Sequence, residues 1–315
     1  MKVLVTGGLG YIGGRLVEKL RQRPECQLRL LVRRVPVELA PWIQGLEVWQ
    51  GDLTQPETLH GIGEDVDVVV HLAAINEVDC AANPIAALRV NVEGTLHLLE
   101  ELSHHLHQFI YVSTFHVYGA NGFGVVTEET PLSPTHPYAS THAMGELYVG
   151  MYARQRQHRA AILRVSNVYG APFYPGVNRW TLLINDLCRQ AVEQGRLVLR
   201  SSGMQVRDFV ALTDVLHAFE LIIKDDADSA VHVFNVGGLA TYSVLDVAQT
   251  VQRVYSELYG KPLHLERPVS QSGETRGSLT FCCERLQALG FLPQVSLEEG
   301  IRETLQFCYQ HFADR

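Results

Sequence analysis

The stretch VLVTGGLGYIGGRLVEKL, residues 3–20, decides the fold of this chain. An apolar run typical of a buried strand comes first, and a pattern typical of an amphipathic helix follows it. Between them, Gly7, Gly8, Gly10 and Gly13 satisfy both the G-x-G-x-x-G and the G-x-x-G-x-x-G spacing. Such glycines let the backbone approach a pyrophosphate, and the start of the helix supplies N–H groups. The stretch therefore predicts a dinucleotide-binding unit; the alternative is a glycine-rich turn that only packs the helix on the strand.

Strand-like and helix-like segments alternate through the first two-thirds of the chain. The strand-like segments are KVLVT, QLRLLV, LEVWQ, VDVVVHLA, QFIYVST and RAAILRV. This alternation predicts an α/β fold with a parallel sheet covered by helices on both faces. Ligands of such sheets bind at the carboxyl ends of the strands. Beyond about residue 172 the pattern changes to loops rich in Pro, Gly and aromatic residues, which predicts a smaller lobe of mixed structure.

The composition excludes several classes of partner. Of the 315 residues, 46% are apolar, which is enough for a sizeable core, and the net charge of −8 argues against binding to nucleic acid. The six cysteines form no C-x-x-C motif, and no histidine cluster has metal-ligand spacing, so no metal site is expected. No apolar run is long enough to cross a membrane. Together these features predict a cytoplasmic protein without a membrane partner.

The choice of cofactor depends on the end of the second predicted strand. Arg33 stands twenty residues after Gly13, and Arg34 follows it. An acidic residue here would bind the ribose 2′-hydroxyl of NAD, whereas an arginine accommodates the 2′-phosphate of NADP. NADP is therefore favoured; NAD remains the alternative, since arginines at a strand end can also stack on adenine. Asp52 ends the next strand and either accepts a hydrogen bond from adenine or serves as a turn residue.

A series of motifs runs through the chain in a specific order. They are TGGLGYIG, GDLT, HLAA (71–74), NVEGT (91–95), YVSTFHVYG (111–119), TEETPLSPTHPYASTH (127–142), LRVSNVYGAP (163–172), GMQVRDFV (203–210), FNVGG (234–238) and SLEEG (296–300). With these motifs the chain resembles the extended short-chain dehydrogenase/reductase family, in its nucleotide-sugar epimerase/dehydratase branch. The resemblance implies a Rossmann-type doubly wound parallel sheet over 1–172, with a segment of about 208–238 crossing back. It also implies a smaller mixed substrate lobe, mainly over 173–315.

The resemblance assigns roles to individual residues. Together with the arginine spacing, the implied cofactor set comprises Gly7, Gly10, Tyr11, Ile12, Gly13, Arg33, Arg34, Asp52, Leu53, Leu72, Ala73, Ala74, Asn91, Tyr138 and His142. Thr114 would hydrogen-bond the reacting sugar oxygen, and Tyr138 would exchange its proton. Asn167 and Arg207 would hold the diphosphate of a nucleoside-diphosphate sugar.

Two of these implied features have structural alternatives. A guanidinium suits a diphosphate because it binds two oxygens at once. Arg207 could instead form a salt bridge with Asp208 or Asp214. Family members usually form homodimers through the helices near 86–104 and 138–156. The apolar residues there could equally belong to an ordinary core; they are Leu96, Leu99, Leu102, Leu147 and Met151.

The chain departs from the family pattern after Thr114. The dehydratases of this branch carry an acidic pair there, whereas this chain has Phe115 and His116. A phenylalanine cannot protonate a leaving hydroxyl, so 4,6-dehydration is not expected. His116 is expected to contact substrate as an acid or base; in the alternative it only shapes the pocket or bonds to the backbone.

A second departure is His142, which replaces the family's lysine four residues after Tyr138. Reference pKa values are about 10 for tyrosine, about 10.4 for lysine and about 6.5 for histidine. At neutral pH an ionised pair with histidine therefore costs less than about 1 kcal/mol more than one with lysine. The imidazole is shorter, so a water would be needed to reach the cofactor ribose. We expect Tyr138 to act as acid/base with His142 as a weaker electrostatic partner; in the alternative, His142 is an ordinary helix residue and catalysis is lost.

These features predict an NAD(P)-dependent nucleotide-sugar epimerase or 4-keto reductase. The alternative function is a non-catalytic or weakly active protein of the same family that binds nucleotide sugar or dinucleotide. A third function, reduction of a steroid- or flavonoid-type ketone, conflicts with Asn167 and Arg207, because an apolar substrate needs no diphosphate clamp.

Overall fold

The structure is a computed structural model that describes residues 1–103, 105–225, 230–268 and 277–313. Its strands are β1 (Lys2–Thr6), β2 (Gln27–Val32), β3 (Glu47–Gln50), β4 (Val68–His71), β5 (Gln108–Thr114), β6 (Gly124–Val126), β7 (Arg159–Val165), β8 (Asn167–Tyr169), β9 (Arg196–Val198), β10 (Val206–Ala211), β11 (Val231–Val236), β12 (Thr241–Ser243), β13 (His264–Glu266) and β14 (Leu279–Phe281). Its α-helices are α1 (Tyr11–Leu20), α2 (Glu77–Ala82), α3 (Pro84–Ala87), α4 (Gly94–Glu100), α5 (Pro137–Arg156), α6 (Leu183–Gln194), α7 (Leu212–Lys224), α8 (Val244–Tyr259), α9 (Glu284–Ala288) and α10 (Leu297–Phe312). A π-helix spans Leu88–Glu93, and short 3₁₀ segments span Val37–Leu39, Pro56–Thr58 and Phe115–Asn121.

The main sheet has seven strands in the order β11-β7-β5-β4-β1-β2-β3. The pairs β5–β4, β4–β1, β1–β2 and β2–β3 are all parallel. The chain winds outward in both directions from β1, so the order reverses between β1 and β4. A crevice opens at this point in doubly wound sheets, outside the carboxyl ends of the strands. The predicted α/β class with a doubly wound parallel sheet is confirmed.

Burial explains why the strands of this sheet read as continuous apolar runs. Val3, Leu4 and Val5 on β1 are all inaccessible to solvent, and so are the central residues of β4. Helices cover both faces of a parallel sheet, so neither face needs polar residues. One face packs against α4 and α5, where Leu98 and Val149 join the buried cluster.

The chain divides into two compact units. The first comprises Met1–Asn121, Pro131–Arg164 and Glu220–Phe234; the second comprises Gly122–Thr130, Val165–Phe219 and Asn235–Arg315. The segment that returns to the first unit, Glu220–Phe234, is therefore shorter than the expected 208–238. The chain passes into the second unit at Val165, whereas the predicted boundary was at residue 172. The assignment of cofactor to residues 1–172 and of substrate to 173–315 stays a prediction.

The second unit has small sheets and a helical core. Strand β10 lies between β8, to which it is parallel, and β12, to which it is antiparallel. The pairs β13–β9 and β14–β6 form separate two-stranded sheets. Helices α6, α8 and α10 bury one apolar cluster, and capping boxes at Ser243 and Ser296 begin α8 and α10. In the described ranges, no helix has the length and apolar character that crossing a membrane would require.

Candidate active site

The glycine turn connects β1 to α1 in the first unit. Gly7 has φ +70°, and its carbonyl accepts a hydrogen bond from the Gly10 N–H at 2.8 Å. A Cβ on Gly13 would lie 2.1 Å from that same carbonyl oxygen. No side chain caps the N-terminus of α1, and its first turn carries no acidic residue. These N–H groups and the bare glycine backbone fit a pyrophosphate, which needs donors and close approach.

A cleft of about 430 Å³ opens at the carboxyl ends of β1 to β4. Its lining consists of Gly7, Gly8, Leu9, Gly10, Leu31, Val32, Arg33, Arg34, Gly51, Asp52, Leu53, Ala73, Ala74, Ile75 and Val90. Eight residues of the predicted cofactor set therefore share one cleft. The other members lie outside this lining, and their contact with a cofactor stays a prediction; they are Tyr11, Ile12, Gly13, Leu72, Asn91, Tyr138 and His142.

Charged side chains mark the end of the cleft near β2 and β3. Arg33 and Arg34 are both exposed. Neither forms an ion pair with the part of the chain that the structure describes. Asp52 accepts hydrogen bonds at Oδ1 from the N–H and the hydroxyl of Thr54. It therefore has a turn role, one of the two roles that its position predicted, while it also lines the cleft.

Sequence reasoning missed a buried polar network beneath the cleft. The Thr95 hydroxyl donates to the Asn91 carbonyl, so it accepts at 2.9 Å from Nε2 of His71. Nδ1 of His71 then has no proton and accepts from the Thr6 hydroxyl at 2.7 Å. Thr6 Oγ1 in turn accepts from the N–H groups of Leu72 and Ala73. Each donor in this network therefore has one defined acceptor. Because Thr6 Oγ1 accepts from Leu72 and Ala73, the network holds the start of the loop after β4 in position.

Burial determines the charge of this histidine. Burial lowers the pKa of His71 from 6.5 to about 3, so the ring is neutral at physiological pH. The sequence feature that indicates this network is a pair of polar residues, Thr6 and His71, at the ends of two apolar strands that are neighbours in the sheet. The HLAA motif contains this histidine, but the spacing alone does not disclose its partners.

Asn91 lies in the π-helix and crosslinks three segments. It is 1% exposed. Its Oδ1 accepts from the Ile75 N–H at 2.9 Å, and its Nδ2 donates to the Thr141 hydroxyl at 3.1 Å. The Thr141 hydroxyl donates to the Tyr138 carbonyl at 3.0 Å. π-Helical turns are frequent at functional sites. Here the turn aims the amide of Asn91 at the first turn of α5, the helix that carries Tyr138.

Helix α5 begins at Pro137 and brings Tyr138 and His142 together, as their spacing predicted. Proline suits the first helical position, and Nδ1 of His136 accepts a hydrogen bond from the Ala139 N–H at the N-cap. The ring centroids of Tyr138 and His142 are 4.5 Å apart, with the rings at 73°. Tyr138 is partly exposed, whereas His142 is 4% exposed. The phenol can therefore meet a ligand, while the imidazole lies behind it.

Two further histidines adjoin the phenol. The His136 ring is parallel to the Tyr138 ring at 6.3 Å, and the His116 ring is edge-on to it at 6.1 Å. His116 is exposed on the 3₁₀ segment after β5, and its N–H donates to Thr114 Oγ1 at 3.3 Å. The first unit thus brings Thr114, His116, Tyr138 and His142 into one neighbourhood. Sequence reasoning missed His136, because only the helix start places it there.

A buried ion pair lies on the same face of α5. Glu146 is four residues after His142 and binds Arg164 of β7, with 2.7 Å between Oε2 and Nη2. Ser113 donates to Glu146, and Arg164 donates to the Tyr118 hydroxyl. Burial by itself lowers the pKa of Arg164, but the hydrogen bonds and charge of Glu146 together with the Tyr118 hydroxyl outweigh it, and the pKa is raised. The pair fastens α5 to β7, and Ser113 links Glu146 to β5, the strand that ends in Thr114.

The second unit holds the predicted diphosphate residues. Asn167 on β8 donates from Nδ2 to the Asp208 carbonyl at 2.9 Å, and Arg207 precedes Asp208 on β10. Asp208 turns inward and accepts from Ser166 and Gly238, while Asp214 accepts from backbone N–H groups of 294–295. Arg207 is exposed and forms no ion pair within the described residues. The alternative salt bridges of Arg207 are therefore not formed.

Burial also acts on Asp208. It raises the pKa of this carboxyl from 3.8 to about 6, despite the hydrogen bonds that Ser166 and Gly238 donate. Among the described residues, no cluster of three His, Cys, Asp or Glu side chains could hold a metal ion.

A family model described as "NAD dependent epimerase/dehydratase family" matches residues 3–237. The chain belongs to this family. Its relatives include the human dTDP-D-glucose 4,6-dehydratase, which is 28% identical over 328 residues that cover 99% of this chain and 91% of the relative. The dTDP-glucose 4,6-dehydratase of Streptomyces niveus is 27% identical, and the match covers 98% of this chain and 92% of that protein. The resemblance to this family that the motifs indicated is confirmed.

Solved structures of the epimerase/dehydratase family have the same fold. UDP-glucose 4-epimerase of Thermotoga maritima, with UDP-glucose, matches with a TM-score of 0.83 and 26% identity, covering 98% of each chain. UDP-glucuronic acid 4-epimerase of Bacillus cereus, with UDP-glucuronic acid and NAD, matches with a TM-score of 0.82 and 26% identity, covering 98% of this chain and 99% of that one. The predicted class, a Rossmann-type sheet accompanied by smaller mixed sheets, therefore holds for this member of the family.

Proposed function

We propose that this chain is an NAD(P)-dependent nucleotide-sugar epimerase or 4-keto reductase that uses Tyr138 as acid/base. The observation that carries this proposal is the Tyr138–His142 contact on α5, in the same unit as the glycine-lined cleft. A phenol that is partly exposed, backed by a buried imidazole, suits reversible proton exchange with a sugar hydroxyl.

The residues of the first unit divide the work. The Thr114 hydroxyl hydrogen-bonds the reacting oxygen of the sugar and orients it. Tyr138 takes the proton of that hydroxyl when a keto sugar forms, and returns it when the ketone is reduced. His142 assists by hydrogen bonding and by its field. The nicotinamide cofactor, when bound, accepts and donates the hydride.

NADP is the favoured cofactor. Arg33 and Arg34 line the cleft and make no ion pair with described residues, so their guanidinium groups are available for a 2′-phosphate. Asp52 is occupied at Oδ1 by Thr54. NAD remains the alternative, and the relatives of known structure include complexes with NAD. A reductase would exchange NADPH at each turnover, whereas an epimerase would retain its cofactor.

The substrate proposed is a nucleoside-diphosphate sugar. Asn167 and Arg207 lie on neighbouring strands, and neither Asp208 nor Asp214 neutralises Arg207. An exposed guanidinium without an ion-pair partner suits a diphosphate. The relatives named above act on, or bind, dTDP- and UDP-sugars by their names. Because Phe115 and His116 replace the acidic pair of the dehydratases, loss of water from the sugar is not expected.

A homodimer is the proposed assembly. Leu147 is 71% exposed on α5, and Met151 lies one turn further along the helix at 37%. Ile85 on α3 and Val78 on α2 are also exposed, and both helices pack against α5. By contrast, Leu99 and Leu102 are buried in the core of the first unit. The part of the predicted interface contributed by Leu147 and Met151 is thus the part available to a second copy.

The test is hydride transfer with a panel of UDP- and dTDP-sugars and their 4-keto derivatives, followed at about 340 nm with NADPH or NADP. Tyr138→Phe is expected to abolish turnover while cofactor binding persists, since only the phenolic oxygen is lost. Tyr148→Phe on the same helix is the matched control. Binding of cofactor and nucleotide sugar without turnover by the unaltered protein would establish the alternative, a non-catalytic binding protein. Analysis of the sugar product distinguishes epimerisation from reduction of a 4-keto sugar.

A further inference from the structure

A second tyrosine, Tyr111, contacts His142 from the strand β5. Tyr111 lies on β5 and is 2% exposed. Its hydroxyl is 3.3 Å from Nδ1 of His142, and the ring centroids are 6.0 Å apart. His142 therefore lies between two phenols, the partly exposed Tyr138 on one side and the buried Tyr111 on the other.

The chain makes room for this second phenol. Gly145 lies inside α5, and a Cβ added there would stand 2.1 Å from the Tyr111 hydroxyl oxygen. Any other residue would displace the tyrosine or the helix. Glycine inside a helix costs about 1 kcal/mol relative to alanine. The glycine thus permits a close approach of strand and helix that brings the Tyr111 hydroxyl to the imidazole.

The Tyr111 phenol keeps a proton that it can donate to the imidazole. Burial raises the pKa of Tyr111 well above its usual value, and the neighbouring Glu146 and Tyr138 raise it further. Tyr111 therefore stays a neutral phenol and can donate. If it donates to Nδ1, that nitrogen carries no proton, and the neutral imidazole bears its proton on Nε2.

The other titratable groups around the pair leave this assignment unchanged. Glu146, on the same helix, is engaged by Arg164 and Ser113. His71 of β4 has its ring 5.8 Å from Tyr111 and is neutral, because burial lowers its pKa to about 3. Neither Glu146 nor His71 therefore competes for the hydrogen bond between Tyr111 and His142.

We propose that Tyr111 is a positioning residue that holds His142 as the Nε2–H tautomer beside Tyr138, so that the imidazole works as an oriented hydrogen-bond donor rather than as a substitute cation. The kinetic part of this inference rests on the proposed function; the tautomer does not.

The tautomer can be tested on the full chain without any ligand. Nitrogen-15 histidine NMR, with the His142 signals assigned by their loss in His142→Gln, is expected to show Nδ1 as the unprotonated nitrogen. Tyr111→Phe removes only the donor and is expected to shift proton population from Nε2 toward Nδ1. Tyr148→Phe on the same helix should leave the His142 signals unchanged. A proton on Nδ1 in the unaltered protein, or identical His142 signals in Tyr111→Phe, would overturn the proposal.

A double-mutant cycle tests the consequence for turnover. With His142 present, Tyr111→Phe is expected to lower kcat about five- to tenfold, the rate equivalent of one hydrogen bond, with little change in KM. When His142→Lys is also present, the same change should cost less than about twofold, because an ammonium group cannot accept from the phenol. Equal losses in both backgrounds would mean that Tyr111 acts only through packing. If the unaltered protein shows no turnover, the proposed function fails, and the NMR result alone decides the tautomer.

Discussion

At the scale of single residues, the first unit combines exposed arginines at its cleft with a neutral histidine buried beneath it. Arg33 and Arg34 keep their charge in water and close to the opening. His71 holds no charge, because desolvation of an imidazolium in this site would cost more than its hydrogen bonds return. The two kinds of residue act differently: the arginines are expected to select a ligand, while the histidine orders the loop that lines the cleft.

Replacing both arginines tests the cofactor preference. Arg33→Ala with Arg34→Ala is expected to weaken NADPH binding about 10- to 100-fold, because charge-assisted bonds to the 2′-phosphate are lost. NADH binding should change less than about threefold. Titration calorimetry at two salt concentrations measures the binding of both cofactors. Arg196→Ala with Arg200→Ala, at two exposed arginines of the second unit, is a control of equal charge change. Equal weakening of both cofactors would contradict a role in selecting the phosphate.

His71 gives the stability of the fold a pH dependence of known sign. The unfolded chain binds a proton at this residue below its ordinary pKa of 6.5, whereas the folded chain resists protonation down to about 3. The contribution is complete above the unfolded value and is lost as pH falls, by at most about 1.4 kcal/mol per pH unit.

His71→Asn keeps a neutral acceptor toward Thr6 and removes the titration. Urea unfolding from about pH 6.5 to about pH 4.5 measures the free energy of unfolding of both proteins. The difference in this free energy between the unaltered protein and His71→Asn should narrow on acidification. Asp208, whose raised pKa contributes the opposite slope, is present in both proteins and cancels in the difference. Parallel curves would show that His71 is protonated in the folded protein.

At the scale of elements, α5 is the support on which the proposed chemistry depends. One face presents Tyr138 and His142, and the same face continues to Glu146, which is fastened to β7 by Arg164. The helix can place a phenol accurately only if it cannot slide along the sheet. A buried ion pair with additional hydrogen bonds suits this purpose, because its geometry is restrictive even where its net contribution to stability is small.

Breaking this ion pair should therefore be costly. Glu146→Gln leaves the Arg164 charge buried without its counter-ion and is expected to lower the free energy of unfolding by about 3 kcal/mol or more. Glu100→Gln, at an exposed pair with Arg156, should change it by at most about 1 kcal/mol. Chemical unfolding measures both. Glu146→Gln combined with Arg164→Met should recover part of the loss; full additivity of the two losses would contradict a coupled pair.

At the scale of the whole molecule, an apolar face remains on α2, α3 and α5 of the first unit after its core is complete. Exposed apolar residues of this face are Val78, Ile85, Leu147 and Met151, whereas Leu98 and Leu99 of α4 are buried. Exposed apolar residues that cluster on adjacent helices are typical of an interface. A second copy of the chain is the partner that the family resemblance indicates.

A charge placed on this face should prevent dimerisation. Leu147→Glu is expected to give a monomer by light scattering at concentrations where the unaltered chain is a dimer, because a carboxylate would have to be desolvated at the interface. Leu292→Glu, at an exposed leucine of the second unit, is the matched control and should leave the mass unchanged. A monomeric unaltered chain, or a dimeric Leu147→Glu, would exclude this face as the interface.

Much of the first unit could be predicted because its signals are local. The glycine turn, the apolar strands and the Tyr138–His142 spacing each depend on residues a few positions apart, and the structure has all three. The prediction was less complete where partners are distant in sequence. The predicted contact of Asn91 with cofactor stays a prediction, but its bonds to the Ile75 N–H and the Thr141 hydroxyl were not foreseen. His136 and Tyr111 belong to no sequence pattern that indicated a role.

The sequence by itself determined the class of fold and the place of the cleft, since periodicity and glycine spacing act through backbone geometry over a few residues. Only the tertiary structure decided the protonation of His71, the partner of Glu146 and the contact between Tyr111 and His142. Those properties depend on burial and on distances between side chains of different elements. Such distances exist only once the sheet has aligned strands that are far apart in the chain.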